Sequence, residues 1–166
     1  ELPNIDYKLG IVAAVGKKYD DARQYLRAAI KKDPESLKAH YQMGLVAAAA
    51  GQDLEAIQSF RRAIELEPAF ADAHYNLGVL YGVLGDYEKS IASFQDAVTA
   101  GTQNPDAYYN LGMAYLGQAE ENAVAIETGI FDSARENFEK ARDLYSTDTD
   151  YEMIQQIDEL LLAIPE

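Results

Sequence analysis

The chain has 166 residues and a formal net charge of −14, with 48% apolar residues, no cysteine and no tryptophan. The missing cysteine excludes a disulfide framework and thiol chemistry. No apolar run approaches the roughly 20 residues that span a bilayer, and a field this negative repels nucleic acid and anionic membrane surfaces while drawing basic partners.

Residues 3–36 predict a pair of helices, the second closed by Pro34. Residues 37–70 predict another pair, in which the first helix ends at the run Ala47–Ala50 followed by Gly51. Residues 71–104 carry the clearest pattern. Leu77, Leu80, Tyr81 and Leu84 recur at three- and four-residue spacing, the signature of one buried helix face. Gly85-Asp86 breaks it, and Tyr87, Ile91, Phe94 and Val98 form a second stripe. In residues 105–148 the first helix keeps Tyr108, Leu111-Gly112 and Tyr115, but the second resumes late, at Gly129-Ile130-Phe131 with Ala134, Phe138 and Ala141. Ten residues are inserted near 118–128. Their alanines and glutamates predict that this first helix is longer than the other three. Thr149–Ile164 predicts a final helix stopped by Pro165, with Thr149 and Glu152 as a capping box and Tyr151, Ile154, Ile157, Leu161 and Ile164 as its buried stripe.

These units are copies of one another. Gly10, Gly44, Gly78 and Gly112 stand 34 residues apart, as do Leu9, Met43, Leu77 and Leu111, and Tyr7, Tyr41, Tyr75 and Tyr109. Leu26, Phe60 and Phe94 align in the second helices, and so do Ala29, Ala63 and Ala97. Self-similarity at a fixed period marks a solenoid. With the Leu-Gly pair, the Tyr, the aromatic and the Ala at their spacings, the chain resembles a tetratricopeptide repeat (TPR) array. The resemblance implies an all-α fold, a right-handed α-solenoid of four TPR helix hairpins plus a C-terminal capping helix, as one array over residues 1–166.

In that family the first helices line a concave groove. Numbering each unit from Pro3, Leu37, Ala71 and Pro105, the resemblance assigns Tyr7, Tyr41, Tyr75 and Tyr109 to groove position 5. Ile11, Leu45, Val79 and Met113 take position 9, where apolar residues depart from the family's usual polar ones. Ala48, Gly82 and Leu116 follow at position 12 and Val83 at position 13, where small residues leave room for a partner's side chains or let helices approach closely. Asn76 and Asn110 at position 6 are placed to hydrogen-bond a peptide backbone. The lysine and asparagine of the carboxylate clamp that binds chaperone tails are replaced by Tyr7 and Ile11, or Tyr41 and Leu45, so that mode is absent.

Catalysis has little to stand on. His40 and His74 occupy a packing position with no carboxylate three or four residues on, and no nucleophile, phosphate-loop or zinc motif occurs. No metal or other cofactor is expected. The reading is a non-catalytic module, an adaptor or assembly factor, that holds a basic or amphipathic peptide or helix of another protein. The alternatives are self-association into a structural assembly, or the targeting domain of a larger enzyme. Charge divides unevenly: residues 1–40 hold eight basic and six acidic groups, residues 41–166 six and twenty-two. No compartment is selected; the cytoplasm is the default, and the opening Glu1 leaves room for a removed signal or anchor segment.

Overall fold

The computed structural model describes residues 5–121, 129–146 and 149–165. Among them lie nine α-helices and no strand: α1 (Ile5–Val15), α2 (Tyr19–Lys32), α3 (Leu37–Ala49), α4 (Asp53–Leu66), α5 (Ala71–Val83), α6 (Tyr87–Thr99), α7 (Pro105–Glu121), α8 (Ile130–Leu144) and α9 (Tyr151–Ala163). The fold is an all-α solenoid. The chain divides into two compact units, Glu1–Leu80 and Tyr81–Glu166.

In the first unit α1 pairs with α2 and α3 with α4, α2 packs on α3, and α1 touches α3. Ala13, Ala22, Leu26, Met43 and Val46 form a core cluster, with Tyr7, Ala14, Tyr19 and Ile30 packed against it. The repeated glycine has a steric cause. A Cβ on Gly44 would lie 2.5 Å from the fully buried Phe60 ring, and one on Gly10 would lie 2.8 Å from Leu26. The first helix must be bare where the second helix's large side chain lands. The hairpin turns are also periodic, with positive φ at Lys17 (56°) and Gly51 (68°).

Polar contacts hold the outer side of this unit. Arg23 Nε and Arg27 Nη2 donate to opposite oxygens of Glu55 at 2.7 and 2.6 Å, tying α2 to α4. Burial opposes ionisation of Glu55, but the hydrogen bonds from Arg27 and Arg23 outweigh it and hold the carboxyl below its ordinary value. Asp6, standing where the repeat has a bulky residue, pairs with Lys32 across the first hairpin. Leu9 departs from its periodic partners: Met43 is buried, whereas Leu9 is exposed, because α1 has no neighbouring helix on that side among the described residues.

In the second unit α6 packs on α7, α7 pairs with α8, and α9 lies on α8. The ring-on-glycine contact recurs, a Cβ on Gly112 lying 2.9 Å from the Phe138 ring. α7 has 17 residues against 11, 13 and 13 for α1, α3 and α5, so it carries helix through Gln118–Glu121; the rest of the insertion lies outside the described residues.

Three expectations are corrected here. Leu84 is exposed because α5 ends at Val83 and Leu84 already belongs to the turn. The final helix begins at Tyr151, one residue later than expected, so Asp150 holds the N-cap and the Thr149–Glu152 capping box does not form. The Asp150 carboxylate instead accepts from the Ser146 amide at 3.0 Å. Tyr151 is exposed rather than buried: it sits in the first turn, its hydroxyl accepting from Gln155, while Ile157 and Ile164 make the buried contact. The Arg135 guanidinium donates to the carbonyls of Leu161, Ile164 and Pro165 at 3.2–3.3 Å, supplying the partners that the end of α9 otherwise lacks.

Candidate functional site

Residues Tyr41, Leu45 and Ala48 stand four and three apart on α3, which puts them on one side of the helix. Tyr7 and Ile11 repeat the arrangement on α1, and Tyr75 and Val79 on α5. All seven side chains are half-buried: part of each joins the packing and part meets solvent. The Tyr41 ring shows how. It lies against Phe60 at 5.8 Å and edge-on to Phe70 at 4.9 Å between ring centres, leaving its hydroxyl at the surface of the unit.

That hydroxyl is already engaged. The Asn76 side-chain amide donates to Tyr41 Oη at 3.2 Å and to the Asp72 carbonyl at 2.7 Å, so both amide hydrogens are used within the unit. Only its oxygen remains to meet a peptide, which narrows the backbone-binding role expected of Asn76. Burial raises the Tyr41 pKa, the Asp72 charge raises it further, and the Asn76 hydrogen bond opposes both.

In the second unit two of the matching residues, Tyr109 and Leu116, serve packing. Tyr109 lies edge-on to Phe138 at 5.7 Å, its hydroxyl accepts from Gln156 of α9 at 3.0 Å, and burial raises its pKa. Leu116 packs against the cluster of Ala134, Phe138, Ala141, Ile157 and Ile164. It also lines an apolar hollow of about 210 Å³ with Ala119, Phe131, Leu160 and Ala163. A Cβ on Gly82 would stand 3.2 Å from the Ser90 hydroxyl, so that glycine permits close helix approach. Met113 and Val83 face solvent, and Asn110 is half-buried.

The histidines act in the turns: Nε2–H of His40 donates to the Pro34 carbonyl and that of His74 to the Pro68 carbonyl, each at 2.9 Å. Nothing in the local sequence announced that bond, although its six-residue spacing repeats. Lys38 is a further first-helix residue on this side. It stands three residues before Tyr41, in line with Tyr41, Leu45 and Ala48 on α3, and its side chain is exposed.

Comparison with known proteins agrees with the helix-pair architecture. A family model described as "Tetratricopeptide repeat" matches residues 6–36, and one described as "TPR repeat" matches 48–85 and 83–118. No curated protein matches by sequence. Among solved structures, one titled as the crystal structure of MamA protein is 27% identical with a TM-score of 0.72, covering 90% of this chain and 77% of its own. A second crystal structure of MamA is 28% identical with a TM-score of 0.74, covering 86% and 80%. MamA 41-end from Desulfovibrio magneticus RS-1, at 20% identity and TM-score 0.74 over 98% and 96%, shares the fold.

Proposed function

Because the chain belongs to the tetratricopeptide-repeat family, we propose that it is a non-catalytic protein-interaction module. It binds a peptide or helix of a partner protein on the first-helix face of residues 5–80. One observation carries this reading. Ile11, Leu45 and Val79, one on each of α1, α3 and α5, keep apolar surface open to solvent where a soluble surface would otherwise be polar. Tyr7, Tyr41 and Tyr75 stand beside them as rigid aromatic contacts, the residue type enriched at protein interfaces. Burying two or three such anchors contributes about 1.5–3 kcal/mol each. Association costs take back much of this, which leaves micromolar affinity.

The test substitutes Leu45→Glu together with Val79→Glu. Half-open side chains reach water when charged, so the variant keeps its helical circular dichroism and its Tm within a few degrees. A carboxylate buried against an apolar partner costs several kcal/mol, so the partner that co-purifies from the native source is lost. A double variant that unfolds would move these residues into the core, and one that folds and still binds would move the site elsewhere.

A second reading, self-assembly, rests on the far side of α1, where Ile5, Leu9, Val12 and Val15 are all exposed. Light scattering on the isolated chain separates the two: a monomer removes the second reading.

A further inference from the structure

The net charge of the whole chain points to a basic partner, but charge is not spread evenly over the molecule. Residues 1–80 hold ten basic and eleven acidic groups, against four and seventeen in residues 81–166. At physiological salt a fixed charge is felt over about 8 Å, so charges beside the binding face outweigh the distant acidic residues. The first helices of this face carry two lysines. Lys38 shares a helix side with Tyr41, Leu45 and Ala48, and Lys8 stands three residues before Ile11 on α1, the helix next to α3.

Both lysines are exposed, and neither has an ion-pair partner among the described residues. On the second helices of the same unit Arg23, Arg27, Lys32 and Arg62 are matched to Asp20 and Glu55, Glu55, Asp6 and Glu65, while Lys31 on α2 is exposed and shows no ion pair among the described residues. The first-helix carboxylates differ in place. Asp6 is taken by Lys32, and Asp72 lies on α5, where its charge acts on Tyr41.

We propose that the first-helix face of residues 5–80 takes an amphipathic segment of another protein whose carboxylates flank its apolar anchors and meet Lys8 and Lys38. The proposal rests on the interaction reading above and specifies its partner, reversing the sign that net charge alone suggests. The apolar anchors lie over Ile11, Tyr41 and Leu45, and the acidic edge runs across α1 and α3. Asp72 turns the same edge away from α5. With both Asn76 amide hydrogens used internally, side-chain burial and these two ion pairs supply the recognition, which suits a helix better than an extended strand.

The probes are two synthetic amphipathic helical peptides with the same Leu and Phe face, one edged with Glu and one with Lys. Binding is read by fluorescence anisotropy at about 0.15 M salt. Two exposed ion pairs contribute roughly twofold to fivefold each, so the Glu-edged peptide binds about tenfold more tightly than its Lys-edged twin. Lys8→Glu with Lys38→Glu reverses that order. Lys31→Glu, which adds a negative charge on α2, leaves it unchanged. A wild-type preference for the Lys edge overturns the acidic partner, as does a Lys31→Glu effect as large as that of Lys8→Glu or no binding of either peptide. Oligomers of the protein alone that the double lysine variant disperses overturn it in favour of a second copy. Binding of both peptides that survives Leu45→Glu with Val79→Glu overturns the face itself, and with it the proposed function. Binding that those substitutions abolish, but with the Lys edge preferred, leaves the function standing and removes only the acidic partner.

Discussion

The two units use one device to different ends. In residues 1–80 Tyr41 stacks beside Phe60, and its hydroxyl accepts an amide hydrogen from Asn76. In residues 81–166 Tyr109 stacks beside Phe138, and its hydroxyl accepts from Gln156. The amide donor belongs to the next first helix in one case and to α9 in the other. α9 therefore stands where a further repeat's first helix would stand. The surroundings differ: Leu45 and Leu116 are both half-buried, but Leu116 packs against a cluster that includes Ile157 of α9. What lies over a first helix decides what a half-buried leucine there touches.

If the ring-on-glycine contact is the shared foundation, breaking it hurts both units equally. Phe60→Ala and Phe138→Ala each remove a fully buried ring seated on Gly44 or Gly112. Each is expected to cost about 3–5 kcal/mol in denaturant unfolding. A cost below about 1.5 kcal/mol at either site would show that its unit repacks, and the parallel would fail there.

A smaller and more discriminating effect comes from the polar contacts that differ. Glu55 joins α2 to α4 through Arg23 and Arg27, and Arg135 closes the end of α9. Since the Glu55 carboxyl is held below its ordinary value, its contribution is present above the unfolded-state pKa and fades as pH falls through the folded one. Glu55→Gln should lower stability at pH 7 by about 1 kcal/mol, discounted for partial exposure, and the difference from wild type should shrink in acid below about pH 4. Arg135→Ala strands backbone carbonyls instead, at about 1–3 kcal/mol, and its effect should stay level over the same range because arginine does not titrate there. Identical pH profiles for the two variants would contradict this assignment.

The smallest expected effect is a gain. Lys17 holds the left-handed turn conformation that Gly51 and Gly85 hold 34 and 68 residues later. A side chain there costs roughly 1 kcal/mol relative to glycine. Lys17→Gly should therefore raise the stability of the first unit by about 0.5–1 kcal/mol, seen as a small rise in denaturation midpoint. A loss would mean that the lysine side chain has a stabilising contact that outweighs the strain.

Much of this was legible in the chain. Helix order, the turns at Gly51 and Gly85 and the core places of Phe60 and Phe94 follow from the 34-residue period, and that of Phe138 from the same pattern displaced by the ten-residue insertion. Gly10, Gly44 and Gly112 each answer a contact made inside one hairpin, and contacts between residues close in sequence leave a periodic trace. Other features were not. Arg135 reaches carbonyls 26 to 30 residues away, and no pattern in either segment marks that pairing. Leu9 matches Met43 in register yet is exposed, because register describes a hairpin and not its neighbours. The capping box failed by one residue, since Asp150 holds the N-cap in place of Thr149 and its carboxylate accepts from the Ser146 amide.

By itself, then, the sequence determined the family, the helical pairs and which residues share a side of each first helix, since all three depend on residue spacing along single helices. Tertiary structure decided which of those places stay open and which charges remain unmatched. Leu45 and Leu116, or Lys38 and Arg23, are alike in their local sequence character. Exposure and ion pairing are set by whichever helix packs alongside, and that depends on the arrangement of all the helices in the unit at once.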